Sequence, residues 1–123
     1  MEVVLDSSFI VSCVKRNIDF VGKLRGLGFK VLLPREVMQE IKDLKLKTKA
    51  REDKVDVELA LQILNENKDI KKMTIGTGRV DNELIKLGKA GAYVATLDNF
   101  IRRSVPNRVV INNAKNNIEV ERD

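Results

Sequence analysis

Four short apolar runs, each closing on polar or turn-forming residues, constrain this chain more than any other feature. Val3-Val4-Leu5 stops at Asp6-Ser7-Ser8, and Lys30-Val31-Leu32-Leu33 stops at Pro34. Tyr93-Val94-Ala95-Thr96 leads to Asp98, and Arg108-Val109-Val110-Ile111 runs into Asn112. Runs of this length and composition are buried strands. Between them the apolar residues change to helical spacing: Phe9, Ile10, Cys13 and Val14; Phe20 to Leu27; Val37, Ile41 and Leu44; Val57, Ala60, Leu61 and Leu64; Leu84, Leu87 and Ala90. Strands alternating with amphipathic helices predict an α/β fold, a three-layer α/β/α sandwich around a central, mainly parallel sheet.

The punctuation agrees with this reading. Asp6 and the serines after it suit a helix N-cap, and Gly28 and Gly91 suit helix C-termini. Pro34 is expected in the first turn of the next helix. Leu46 to Lys54, dense in Lys and Arg, is expected as a solvated loop or helix entry, and the basic residues from Lys42 to Lys54 as a substrate rim or ordinary surface charge. Met73 to Gly78 is expected as a short strand and a glycine loop. Asn112 to Asn117 form a turn into a short end piece, Ile118-Glu119-Val120. No repeat, linker or low-complexity tract interrupts residues 1–123, so a single domain is expected.

Composition removes whole classes of chemistry. The chain has no histidine and one cysteine, Cys13. No Ser-His or Cys-His pair, histidine zinc site or intramolecular disulfide can form. The remaining metal-ligand vocabulary is carboxylate, amide and carbonyl oxygen, which suits Mg²⁺ or Mn²⁺. A net charge of +5 favours a polyanionic partner. No apolar run has the length of a membrane span and no signal-peptide pattern is present, so a cytoplasmic protein without membrane contact is expected.

In an open parallel sheet, ligands bind beyond the carboxyl ends of the strands. Asp6 and Asp98 follow two of the strands, Asp81 opens the helix leading into the second of these, and Glu40 lies on a helix after another strand end. Four carboxylates at one edge repel unless cations compensate them, and bound Mg²⁺ or Mn²⁺ would do so. Hydrolysis of a phosphodiester is the reaction such a site implies. Each acid has a second reading: Asp6, Asp81 and Asp98 as helix caps, Glu40 as a solvated residue paired with a nearby cation. Glu36, one turn before Glu40, is a reserve ligand or an exposed residue. Gly76-Thr77-Gly78 lacks the third glycine of a dinucleotide fingerprint and reads as a turn.

The stretches VVLDSSFI, LLPREVMQEI, VDNELIKLGKAGAYVATLDNFIRR and RVVINNAKNNIEV resemble the PIN domain in order and approximate spacing. The resemblance covers nearly the whole chain. It implies a metal-dependent endoribonuclease acting on structured or single-stranded RNA, with Asp6, Glu40, Asp81 and Asp98 as the catalytic, metal-binding quartet. It further implies that Ser8 and Thr96 orient carboxylates by hydrogen bonds. Asn82 and Asn99 beside the acids are candidate neutral ligands, and Arg102 and Arg103 after the last acid read either as a grip on the RNA backbone or as a solvated face. The AYVATLD stretch followed by Arg102-Arg103 resembles the ribosomal-RNA-processing branch, which implies a ribosome-assembly partner. Toxin ribonucleases of toxin–antitoxin pairs, with an antitoxin partner, share the acids, and a homodimer is compatible with both branches. One departure is Phe100, where many members carry a further acid. A non-catalytic PIN-fold scaffold for RNA or protein is therefore a second reading. A phosphoacceptor receiver domain ranks last, because Asp6 is followed by serines rather than a second acid.

Overall fold

Side-chain alternation along the central strands sorts the interior into two cores of unequal depth. In this computed structural model, which describes residues 1–123, strand β1 (Glu2–Leu5) sends Val3 and Leu5 to one face and Val4 to the other. Strand β2 (Lys30–Pro34) does the same with Val31 and Leu33 against Leu32, and β4 (Tyr93–Ala95) with Tyr93 and Ala95 against Val94. The larger core is closed by helices α1 (Ser7–Lys15), α2 (Phe20–Gly26), α3 (Arg35–Lys47) and α4 (Arg51–Glu66). The smaller is closed by α5 (Val80–Lys89) and α6 (Asn99–Ser104), through Leu84, Ile85 and Ile101. This is the expected α/β/α sandwich. No helix is long and apolar enough to cross a membrane.

The sheet has the order β3-β2-β1-β4-β5-β6, with β3 at Ile70–Met73, β5 at Asn107–Asn112 and β6 at Asn117–Arg122. All pairs are parallel except β5 with β6. The chain winds outward from β1 through β2 to β3, then returns to the other side of β1 for β4 and β5. Parallel crossovers keep one hand, so reversing direction moves the connecting helices to the opposite face. That is why α5 and α6 lie across the sheet from the first four helices.

Several local expectations are corrected. Strand β3 lies upstream of Met73–Gly78 and ends at Met73; as an edge strand it buries Ile70 and exposes Lys71 and Lys72, which hides its pattern. Pro34 ends β2 and is the N-cap of α3, one position before the first turn. The basic segment Leu46–Lys54 is, as expected, solvated and holds a helix entry: α3 runs on to Lys47, a short loop follows, and α4 starts at Arg51. Leu44 does not join Val37 and Ile41 in the core; Met38 does, and Leu44 edges a surface hollow with Ser12, Lys15 and Glu40. Ala90 is the exposed C-cap of α5 rather than an inward residue. The end piece is a full six-residue edge strand pairing along β5. Gly88 lets α5 approach the sheet, since a Cβ there would overlap Val105 and press on Val94.

Candidate functional site

Strands β1 and β4 are neighbours, with Leu5 opposite Ala95, and the winding direction reverses across this pair. Helices leaving the two strands diverge to opposite faces, so a crevice opens beyond their carboxyl ends. Asp6 and Asp98 stand at the two exits, each the N-cap of the following helix. Their cap and site readings therefore coincide in the same residues.

Asp6 is only 7% exposed, and its carboxylate is held from three directions. Oδ1 accepts the Ser7 amide at 2.8 Å, while Oδ2 accepts the hydroxyls of Ser8 at 3.2 Å and Thr96 at 2.6 Å. Each hydroxyl in turn accepts a backbone N–H from the turn after β4: Leu97 to Ser8 Oγ at 3.1 Å and Asp98 to Thr96 Oγ1 at 3.0 Å. Two parallel relays thus run from that turn to a single oxygen of Asp6. Every buried side-chain polar atom has a partner, as a charge in low dielectric requires.

Glu40 reaches over from α3, and its Oε1 accepts the Ser7 hydroxyl at 3.3 Å. Burial first, then the carboxylates of Asp6, Asp81 and Asp43, raise its pKa, partly offset by the Ser7 hydrogen bond. Asp81 lies in the first turn of α5 but is not its cap: Arg79 holds that position. Asp81 Oδ1 accepts the Asn82 amide at 2.9 Å and lies 3.7 Å from Arg79 Nε. Asp98 Oδ1 accepts the Ile101 amide at 3.1 Å. Together Asp6, Ser7, Ser8, Glu40, Arg79, Val80, Asp81, Asp98 and Ile101 line one open cleft of about 440 Å³.

The four acids and Ser8 thus share one cleft, and Thr96 lies buried directly behind it. Asn82 and Asn99 do not line it. Asn99, Arg102 and Arg103 border a separate hollow of about 350 Å³ with Arg108 and Glu121, and Arg102 faces Glu121 at 3.9 Å. Glu36 does not line the cleft: half-buried, its carboxylate accepts the Ile75 amide at 3.2 Å and ties the chain after β3 to α3. Phe100 is 54% exposed, away from the cleft lining. None of the lysines and arginines between Lys42 and Lys54 lines the cleft either. Sequence reading missed Ser7, whose signal is the Asp-Ser-Ser turn, and Arg79, whose signal is its place two residues before Asp81 at a helix start.

An all-oxygen set of four carboxylates with serine hydroxyls matches the donor preference of Mg²⁺ and Mn²⁺. No three of these acids are arranged to hold one ion as they stand. Asp6 is fixed by its hydrogen bonds, whereas Glu40 and Asp81 sit at the solvent side, turned to Ser7 and Arg79. No protein-family model matches the chain, and no curated protein matches it significantly.

Proposed function

We propose that this protein is a metal-dependent endoribonuclease that hydrolyses RNA phosphodiester bonds, with ribosomal RNA as its substrate and the cytoplasm as its setting. The observation that carries this reading is the convergence of Asp6, Glu40, Asp81 and Asp98 from four separate elements onto one cleft at the switch point of a parallel sheet. The resemblance of the same residues to the PIN-domain pattern supports it. Mg²⁺ or Mn²⁺ held by these carboxylates would neutralise the phosphate and lower the pKa of bound water. Asp6, buried and triply hydrogen-bonded, sets the fixed point of the site. Glu40, reaching over the cleft from α3 at its solvent side, is the acid that would take a proton from the attacking water. The water oxygen bonds to phosphorus, the P–O3′ bond breaks, and the 3′ oxygen leaves to be protonated.

The test is cleavage of a structured ribosomal RNA fragment with Mg²⁺ or Mn²⁺, comparing wild type with Asp6→Asn and Asp98→Asn. Loss of a supporting residue around a metal ligand costs about 10–100-fold, so replacing a ligand itself should cost at least that. Cutting that chelator leaves intact, or that survives both substitutions, would remove this reading.

A further inference from the structure

Arg79 is the one cation among the nine residues lining the acidic cleft, and its setting is unlike that of a structural arginine. Its side chain is 84% exposed, and its only ion pair is the 3.7 Å approach of Nε to Asp81, too long for a hydrogen bond. No protein acceptor takes a hydrogen bond from its guanidinium. Arg108 shows the contrast. There the side chain is 18% exposed and the guanidinium donates to Glu121, Asp123 and the carbonyls of Arg102 and Val105.

The position of Arg79 also runs against local rules. It is the N-cap of α5 and makes no side-chain cap hydrogen bond, where Ser, Asp or Asn would stabilise the helix by about 1 kcal/mol. A cation there also opposes the positive end of the helix dipole. Pro34 and Ala50 also cap their helices without a side-chain hydrogen bond, but neither is charged; a cation against the dipole sets Arg79 apart, and such conflicts are expected at functional sites. The backbone leading to it is tied at Ile75, whose amide Glu36 accepts, and Gly76 and Gly78 let it pass close to the Glu83 carboxylate, where a Cβ at either would meet its oxygens at 2.5 and 2.7 Å. An arginine lining the cleft whose guanidinium no protein acceptor holds is free to engage a ligand there.

We infer that Arg79 is the phosphate-binding residue of this cleft, exchanging its loose pairing with Asp81 for a charge-assisted, two-pronged grip on a phosphate of the bound RNA strand. The inference rests on the nuclease reading for the identity of its ligand. An exposed ion pair at 3.7 Å is held weakly, and a planar guanidinium matches phosphate geometry.

The experiment measures binding of a fluorescein-labelled single-stranded RNA by anisotropy over a salt series, with Mg²⁺- and Mn²⁺-dependent cleavage recorded on the same preparations. Wild type is compared with Arg79→Ala, Arg79→Lys and Arg25→Ala, the last removing the same charge from α2, where Arg25 forms an exposed pair with Asp69. Arg79→Ala should weaken binding about tenfold and shallow the salt dependence by about 0.7, the slope for one phosphate on a single strand. Arg79→Lys should restore the salt slope and only part of the affinity. Arg25→Ala should change neither, and Arg79→Ala should unfold at the same temperature as wild type or higher. Equal binding by wild type and Arg79→Ala, or equal losses in Arg79→Ala and Arg25→Ala, would overturn the inference. Wild-type binding without cleavage would sink the nuclease reading and leave the phosphate contact standing.

Discussion

Thr96→Val isolates the relay that fixes Asp6, because valine keeps the shape of threonine and removes only the hydroxyl. Thr96 is fully buried, donates to Asp6 at 2.6 Å and accepts the Asp98 amide. A hydrogen bond to a charged group is worth about 1.5–3 kcal/mol, and an orphaned amide costs about 1–3 kcal/mol. The Asp98 amide is part-buried, so the lower end applies to it, and the added methyl returns somewhat under 1 kcal/mol. The expected net loss is about 2–3 kcal/mol. Thr96→Ser keeps both hydrogen bonds and deletes one buried methyl, which costs about 1 kcal/mol. Urea unfolding of metal-free protein followed by circular dichroism gives both values, and the melting points should fall by roughly 10 °C and 4 °C. An account based on apolar burial alone gives the opposite order. A valine variant more stable than the serine variant would therefore refute the relay as a structural device. Ser8→Ala combined with Thr96→Val should also be non-additive by at least about 0.5 kcal/mol, since both hydroxyls share Asp6 Oδ2.

Three further outcomes are expected. The pKa of Glu40 is raised in the folded chain, so the native state binds its proton more tightly than the unfolded state. Its contribution to stability is then greatest below its ordinary value of 4.5 and falls as pH rises from there through the raised value. Metal-free Glu40→Gln should consequently be more stable than wild type at pH 7, on the order of half a kcal/mol for so exposed a group; a less stable variant by denaturant titration would contradict this. Gly88→Ala sets about 1 kcal/mol of helix propensity against 1–3 kcal/mol of overpacking on Val105 and Val94. A net destabilisation of about 1 kcal/mol is expected, whereas Gly26→Ala, with nothing within 4 Å, should be neutral or stabilising, both read from melting points. Burial pushes the Cys13 thiol up to about 12, with Arg16 opposing. Labelling by a thiol reagent at pH 8 should therefore be negligible in native protein and complete in urea.

The central fold was legible because strands buried on both faces read as unbroken apolar runs, and Val3 to Leu5 or Tyr93 to Ala95 leave no other reading. The edges were harder. Strand β3 buries only Ile70 and presents Lys71 and Lys72 to solvent, so no periodicity marks it. Strand β6 is intermediate or exposed along its whole length, and its extent is set by pairing with β5 rather than by its own side chains. In the cleft, the four acids were legible from their places after strands and before helices. Asn82 and Asn99 were placed by adjacency in sequence, but a helix turns successive residues by about 100°, so these neighbours of Asp81 and Asp98 face elsewhere; Arg102 and Arg103 border a hollow with Arg108 on β5 and Glu121 on β6, long-range partners that local spacing does not show. Arg79 had only a positional signal, two residues before Asp81, and reading it required the start of α5 to be fixed at Val80 rather than at Asp81.

The cleft combines one immobilised acid with three adjustable ones, and the division follows from burial. Asp6 has left water, so its charge is tolerated only with three donors in place, and those donors also tie the turn after β4 to the start of α1. Its position is bound up with the fold. Glu40, Asp81 and Asp98 remain in contact with solvent, each holding a single hydrogen bond from protein, and like charges at the edge of water can rotate apart at little cost. Substitutions should separate the two classes: Asp6→Asn leaves an amide facing two hydroxyls that already accept backbone N–H groups, and should lower stability as well as any activity. Asp98→Asn retains an oxygen for the Ile101 amide and relieves repulsion, so it should leave the metal-free fold as stable as wild type or more so. Denaturant midpoints that fall equally in both variants would contradict this division of the site into a fixed centre and a responsive rim.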